Sequence, residues 1–179
     1  MNKPAAFIIV AGATLMLASP TLNDFLGRWE GGGVQVVYAD RLANGLPTVC
    51  KGITKHVTKV DIVVGDYWDE LKCEEIEDLV IKQTQTQLAK CIKHRVSQGT
   101  FDALSSMSHN VGVGNVCASR AVGLINAGRL VEGCKAISQA PDGTPVWSYV
   151  SNGKGGKRFV QGLQNRRRAE TTLCLRDTM

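Results

Sequence analysis

Glu30 and Asp40 are separated by nine residues, the first three of them glycine, and Thr48 follows Asp40 after seven more. Two carboxylates flanking a tight hairpin, with a hydroxyl close behind, suit general acid/base hydrolysis with a positioned water. Glu30 follows Trp29 and precedes a flexible backbone. A partly apolar setting of that kind raises a carboxyl pKa, as a general acid near neutral pH requires. The same residues also fit an ordinary hairpin with two solvated acids, because Asp and Glu are mostly exposed.

The elements that must hold these groups can be read from pattern. Asn23 or Asp24 is expected to cap a short helix, Phe25 to Glu30, ended by Gly31-Gly32-Gly33. Alternation at Val34, Val36 and Tyr38, then at Val49, then from Val57 to Val64 predicts about three strands, with turn chemistry at Gly45-Leu46-Pro47. A sheet that small must pack on helices. A long helix is predicted from about Trp68, with acids in its first turns and lysines in its last. A second helix runs from Gln98 to the Gly112-Val113-Gly114 stop, and its small residues Ala103, Ser105, Ser106 and Ser108 mark it as a closely packed one. Two short helices, Cys117 to Asn126 and Leu130 to Gln139, precede a turn region from Pro141 to Gly156 and a basic C-terminal helix. Arg166-Arg167-Arg168 in that helix reads as a solvated face toward wall or lipid, or as a partner for a catalytic carboxylate.

The 179 residues suffice for one sizeable core, possible in two lobes, and the net charge of +5 with a pI near 9.0 suits an anionic partner. Aromatics at 6% and the lack of an RNA- or zinc-finger-type spacing argue against nucleic acid. Six cysteines with no Cys-x-x-Cys pair point to an oxidising compartment and disulfides rather than zinc. The glycines and lysine at 153–156 lack the spacing of a phosphate loop. Ala5 to Ala18 is a 14-residue, weakly apolar run, the length of an export signal core and short for a spanning helix. A cleaved signal and an uncleaved segment that enters and later leaves the membrane both fit. Either places the mature domain outside the cytoplasm.

Several motifs occur in a fixed order: Trp29-Glu30-Gly31, Tyr38-x-Asp40, Thr48-Val49-Cys50-x-Gly52-x-Thr54, Phe101-Asp102-Ala103-Leu104, Asn110-Val111-Gly112-x-Gly114, Trp147, and Gly162-Leu163-x-x-Arg166-Arg167-x-x-Glu170. Over roughly residues 25 to 175 the chain resembles the phage lysozyme (endolysin) family, glycoside hydrolase family 24. Its weakly apolar start resembles the signal-arrest-release subgroup, whose members are exported unprocessed, held inactive at the inner membrane and freed when it depolarises. The resemblance implies an α+β, lysozyme-like fold: a small antiparallel β lobe and a larger helical lobe joined by a long helix. The expected division is an export segment at 1–24 and a catalytic domain at 25–179, with the β lobe at about 30–66 and the helical lobe at about 68–179.

The resemblance further implies hydrolysis of the β-1,4 bond between N-acetylmuramic acid and N-acetylglucosamine in peptidoglycan, leading to host lysis. Glu30 is then the general acid, Asp40 the second carboxylate, Thr48 the hydroxyl holding the water, and Asn110 a substrate-binding cleft residue. The spacings from Glu30 to Asp40 and from Asp40 to Thr48 are longer than the family's usual ones. No cofactor or metal is expected. The partners expected are peptidoglycan glycan strands and, before release into the periplasm, the inner membrane; nucleic acid is not among them, and the protein is expected to be a monomer. A lytic transglycosylase, which needs only the acid, and a non-catalytic wall-binding module are the competing readings. For the cysteines the expected pairs are Cys50–Cys73, joining sheet to long helix, Cys117–Cys134, spanning the short helices, and Cys91–Cys174.

Overall fold

The computed structural model describes residues 5–30, 33–41, 44–153 and 155–176, with Glu30 described by its backbone alone. The chain divides into two compact units, one of residues 23–83 and one of residues 1–22 with 84–179. The division falls inside two helices, α1 (Pro20–Glu30) and α2 (Glu70–Ala89).

The unit of residues 23–83 holds a three-stranded antiparallel sheet in the order β3 (Val34–Asp40), β4 (Leu46–Cys50), β5 (Ile53–Thr54). Its hairpin turns at Asn44 and Gly45, both at positive φ, and the Gly45 N–H donates to the Asp40 carbonyl at 2.7 Å. Glycine is therefore required at 45 by backbone conformation, and asparagine is the side chain best tolerated beside it. The strand expected over Val57 to Val64 does not form. β5 stops at Thr54, whose hydroxyl accepts from the His56 N–H, and the Thr58 hydroxyl accepts from the Val60 N–H. Such local side-chain bonds compete with a ladder. The valines at 57, 60, 63 and 64 are left exposed. The free edge of β3 is covered instead by residues 65–68: the Gly65 N–H donates to Val37, Val37 donates to Asp66, and Trp68 donates to Gln35. Val37, Val49, Cys50, Ile53 and Trp68 pack with Cys73, Ile76 and Val80 of α2 as one core. A Cys50–Cys73 disulfide staples that core, as expected.

The second unit is built on α3 (Gln98–Val111), which starts at Ser97, whose hydroxyl accepts from the Thr100 N–H, and stops at Gly112 with φ 89°. Residues 99–108 are all buried, so this helix has no solvent face along most of its length. The predicted pair of short helices resolves into three, α4 (Val113–Cys117), α5 (Arg120–Asn126) and α6 (Leu130–Lys135). Ser119 accounts for the extra break, because its hydroxyl caps α5 by accepting from the Val122 N–H. Gly133 of α6 lies against α5: a Cβ there would sit 2.5 Å from Ile125 Cγ1 and 3.0 Å from the Ala121 carbonyl. The last helix, α7 (Gln161–Leu175), packs on α3. Between α6 and α7 in sequence come β6 (Tyr149–Ser151) and β7 (Lys157–Phe159), an antiparallel hairpin in what reads by sequence as a turn region.

Two expectations are corrected in this unit. The remaining disulfides are Cys91–Cys117 and Cys134–Cys174, not Cys117–Cys134 and Cys91–Cys174. Cys91 follows the end of α2 and meets the end of α4, while Cys134 on α6 meets α7. Arg166 and Arg167 do not form a solvated face. Both are buried, as is Glu170. Arg167 Nη2 donates to Glu170 Oε1 at 2.8 Å, its Nε lies 2.7 Å from Oε2, Arg166 Nε lies 3.4 Å from Oε1, and Ser106 Oγ donates to Oε1 at 2.8 Å. Burial pushes the Glu170 carboxyl up and the Arg167 guanidinium down, and each pulls the other back. Arg168 alone of the three is exposed.

The apolar start of the chain forms a hairpin, β1 (Ala6–Val10) with β2 (Ala13–Leu17), around Ala11-Gly12 at positive φ. Val10, Ala13 and Leu15 are buried while Phe7 and Ile9 are exposed. Side chains of the helices satisfy its backbone. Gln98 accepts from the Met16 N–H and donates to the Met16 carbonyl, and Gln85 accepts from the Ala18 N–H. Ser19 then caps α1, accepting from the Leu22 N–H while donating to buried Asp102 at 2.7 Å. The cap is thus Ser19, with Pro20 in the first helical position, rather than Asn23 or Asp24. Among the described residues no helix is long and apolar enough to cross a membrane.

Candidate active site

Three of the four candidate residues lie in the unit of residues 23–83. Glu30 is the last residue of α1; its side chain, and Gly31 and Gly32 after it, lie outside the described residues. Gly33 carries the chain into β3 in close approach to β4, since a Cβ there would stand 3.4 Å from the Cys50 carbonyl carbon. The helix end and the start of the sheet are thus separated by only three residues, 31–33.

Asp40 and Thr48 are placed by the β3–β4 register. Tyr38 pairs with Thr48, Ala39 with Pro47 and Asp40 with Leu46. Directly opposed residues share a face and alternate residues return to it, so Tyr38, Asp40, Leu46 and Thr48 lie on one face of the hairpin. Val37 and Val49 take the other face and enter the core. The β3–β4 pairing runs out to Asp40 and Leu46; Leu42 and Ala43, which come between them in sequence, lie outside the described residues. A register irregularity between Val34 and Tyr38 re-aims the strand just before this face begins.

Thr48 is 4% exposed and its hydroxyl donates to the Leu46 carbonyl at 3.0 Å. With its hydrogen committed, the Oγ1 lone pairs are what the residue offers to a neighbouring donor. Asp40 is partly exposed. Tyr38, about two-fifths exposed, stands opposite Thr48 on the same face. The Tyr38-x-Asp40 alternation was the sequence signal for it, although neither its type nor its position marks it for acid/base work.

Asn110 belongs to the other unit. It is exposed in the last turn of α3, before Gly112. Arg166 and Arg167, considered as partners for a catalytic carboxylate, both meet Glu170, and the side chain of Glu30 lies outside the described residues. No group of three or more His, Cys, Asp or Glu among the described residues is arranged to hold a metal ion.

The phage lysozyme family model matches residues 27–170. The chain belongs to the phage lysozyme family. It is accordingly a glycoside hydrolase of the lysozyme class. A SAR-endolysin of Enterobacteria phage P21 is 29% identical over 166 residues, covering 93% of this chain and 87% of the relative. Among solved structures, the endolysin from Escherichia coli O157:H7 phage FAHEc1 superposes with a TM-score of 0.70 at 25% identity, over 90% of this chain and 94% of that one. The muramidase domain of SpmX from Asticaccaulis excentricus does so with a TM-score of 0.71 at 20% identity, over 88% and 96%. These superpositions establish the lysozyme-like α+β fold expected for the family.

Proposed function

We propose that this phage lysozyme cleaves the β-1,4 bond between N-acetylmuramic acid and N-acetylglucosamine in peptidoglycan, and that it lyses the host from the periplasmic side. The observation that carries the reading is the shared hairpin face: Asp40 and Thr48 come to one side of β3–β4 within the unit that also holds Glu30, the last residue of α1. In this reading Glu30 protonates the leaving glycosidic oxygen. Asp40 draws the proton from the attacking water, and Thr48, its hydrogen held by Leu46, accepts a hydrogen bond from that water and so fixes its direction. Asn110 contacts the glycan. The product is a free reducing end.

Export follows from the same reading. Residues 1–24 act as the signal-arrest-release segment, which the name of the P21 relative supports. A two-stranded hairpin has open edges and cannot span hydrocarbon. The segment would therefore be tethered in another conformation and adopt the β1–β2 form once released, with residues 25–179 as the catalytic domain.

Glu30→Gln is the deciding experiment. Removal of a general acid is expected to lower the rate of sacculus clearing by about 10²–10⁴-fold. Clearing at the unmodified rate overturns the assignment. Mass spectrometry of the digest separates hydrolysis from transglycosylation, because anhydro-muramyl ends would replace reducing ends and Asp40→Asn would then barely matter.

A further inference from the structure

The hairpin β6–β7 takes no part in the acid/base reading. All six strand residues are exposed, on both faces. Tyr149 and Phe159 oppose each other across the strands with ring centroids 5.6 Å apart, edge to face, and each ring is about two-fifths exposed. Lys157 shares their face and Arg158 shares the opposite face with exposed Val150. Between Asp142 and Glu170 the sequence carries six Lys or Arg residues and no acid; Arg166 and Arg167 are buried against Glu170, so Lys157 and Arg158 are the cations the strands themselves present.

The stem is fixed while the strands are not covered. Buried Ser148 donates to Gln164 Oε1 at 2.6 Å and its carbonyl accepts from the Val160 N–H at 2.8 Å, so both strands leave the body from a rigid base. The far end is closed by Asn152, whose Oδ1 accepts from the Gly156 N–H. Two aromatic rings kept half in water, beside cations without counter-charges in the surrounding sequence, call for a partner that is apolar at one depth and anionic at the next.

We propose that β6–β7 docks this protein on a membrane surface rich in acidic phospholipid. Three factors favour lipid over glycan. A sugar chain is bound in a concave site by convergent polar groups, whereas this hairpin is exposed on both faces and its one amide, Asn152, is engaged by the Gly156 N–H. Three-residue strands extend roughly 10 Å, which matches the about 5–10 Å depth of interfacial elements and falls far short of a crossing. Aromatic rings with flanking Lys and Arg are the composition that settles at headgroup level.

Co-sedimentation of the full chain with phosphatidylcholine vesicles, with and without phosphatidylglycerol, tests the proposal. The protein is expected to bind the anionic vesicles, more weakly as salt rises, and to bind the neutral ones poorly. Lys157→Gln with Arg158→Gln should weaken that binding by on the order of 30-fold, about fivefold per charge. Phe159→Ser should weaken it several-fold, and Lys157→Arg with Arg158→Lys should retain it. Thermal melts confirm that the variants fold, and cleavage of soluble wall fragments should be unaltered, which separates this test from that of Glu30. Equal binding by the wild-type protein and the glutamine variant, or no binding to anionic vesicles at all, overturns the proposal. Loss of sacculus binding with vesicle binding intact also overturns it, in favour of the wall polymer.

Discussion

In the sheet unit the interior closes around Trp68 through apolar side chains and one disulfide, whereas in the helical unit the middle of α3 meets α7 through Ser106, Arg166, Arg167 and Glu170. The two interiors fail differently. An apolar core loses stability in proportion to the atoms removed. A buried ion cluster loses it when any one partner goes, because the others stay behind, charged and out of water. The helical unit thus gains a defined α3–α7 register at the risk of a sharper response to single substitutions.

That contrast is open to measurement. Glu170→Gln leaves the fully buried Arg167 guanidinium facing a neutral amide and should lower unfolding free energy by about 3–5 kcal/mol in urea denaturation. A smaller loss for the joint replacement Arg167→Met with Glu170→Leu would confirm that the penalty lies in the orphaned charge; an equal or larger loss would show that the cluster contributes net stability. Opening the Cys50–Cys73 bridge by a double Cys→Ser change releases a cross-link of sequence separation 23 and should cost about 3 kcal/mol. If its loss exceeds that of Glu170→Gln, the contrast between the units is reversed. At the small end stand two glycines. Gly133→Ala drives a methyl against Ile125 and should destabilise by about 1–3 kcal/mol. Gly123→Ala in α5 meets nothing within 4 Å and should stabilise by about 0.4–1 kcal/mol.

Where local chemistry decides structure, the sequence was readable. Gly112 ends α3 where the pattern places the stop, and the small residues of that helix are buried as their sizes suggest. The order of motifs around Glu30, Asp40 and Thr48 led to the family, and the β3–β4 register puts Asp40 and Thr48 on one face. Five features escaped. An apolar run such as Ala5 to Ala18 has no period that separates strand from helix; only Ala11-Gly12 marks its turn. Ser19-Pro20 is a strong helix start, but it directly follows that run and reads as part of the same uncharged segment. Cysteine partners depend on which helix ends meet in space, and spacing does not encode this. Arg166 and Arg167 look like surface residues until a buried acid one helical turn away, Glu170, is recognised as their partner. The β6–β7 strands, at three residues each, are below the length at which alternation can be seen.

The carboxamide of Gln98 has one further consequence. It receives the amide hydrogen of Met16, returns one to the oxygen of the same residue, and spends its second on Asp102 Oδ1. A side chain is standing in for the neighbouring strand that β2 lacks on that side. Because it grips a single residue at both ends, it also acts as a ruler. Sliding the N-terminal ribbon by one position would exchange its two faces, turning Phe7 and Ile9 inward and Leu15 out, and Gln98 would then have nothing to hold.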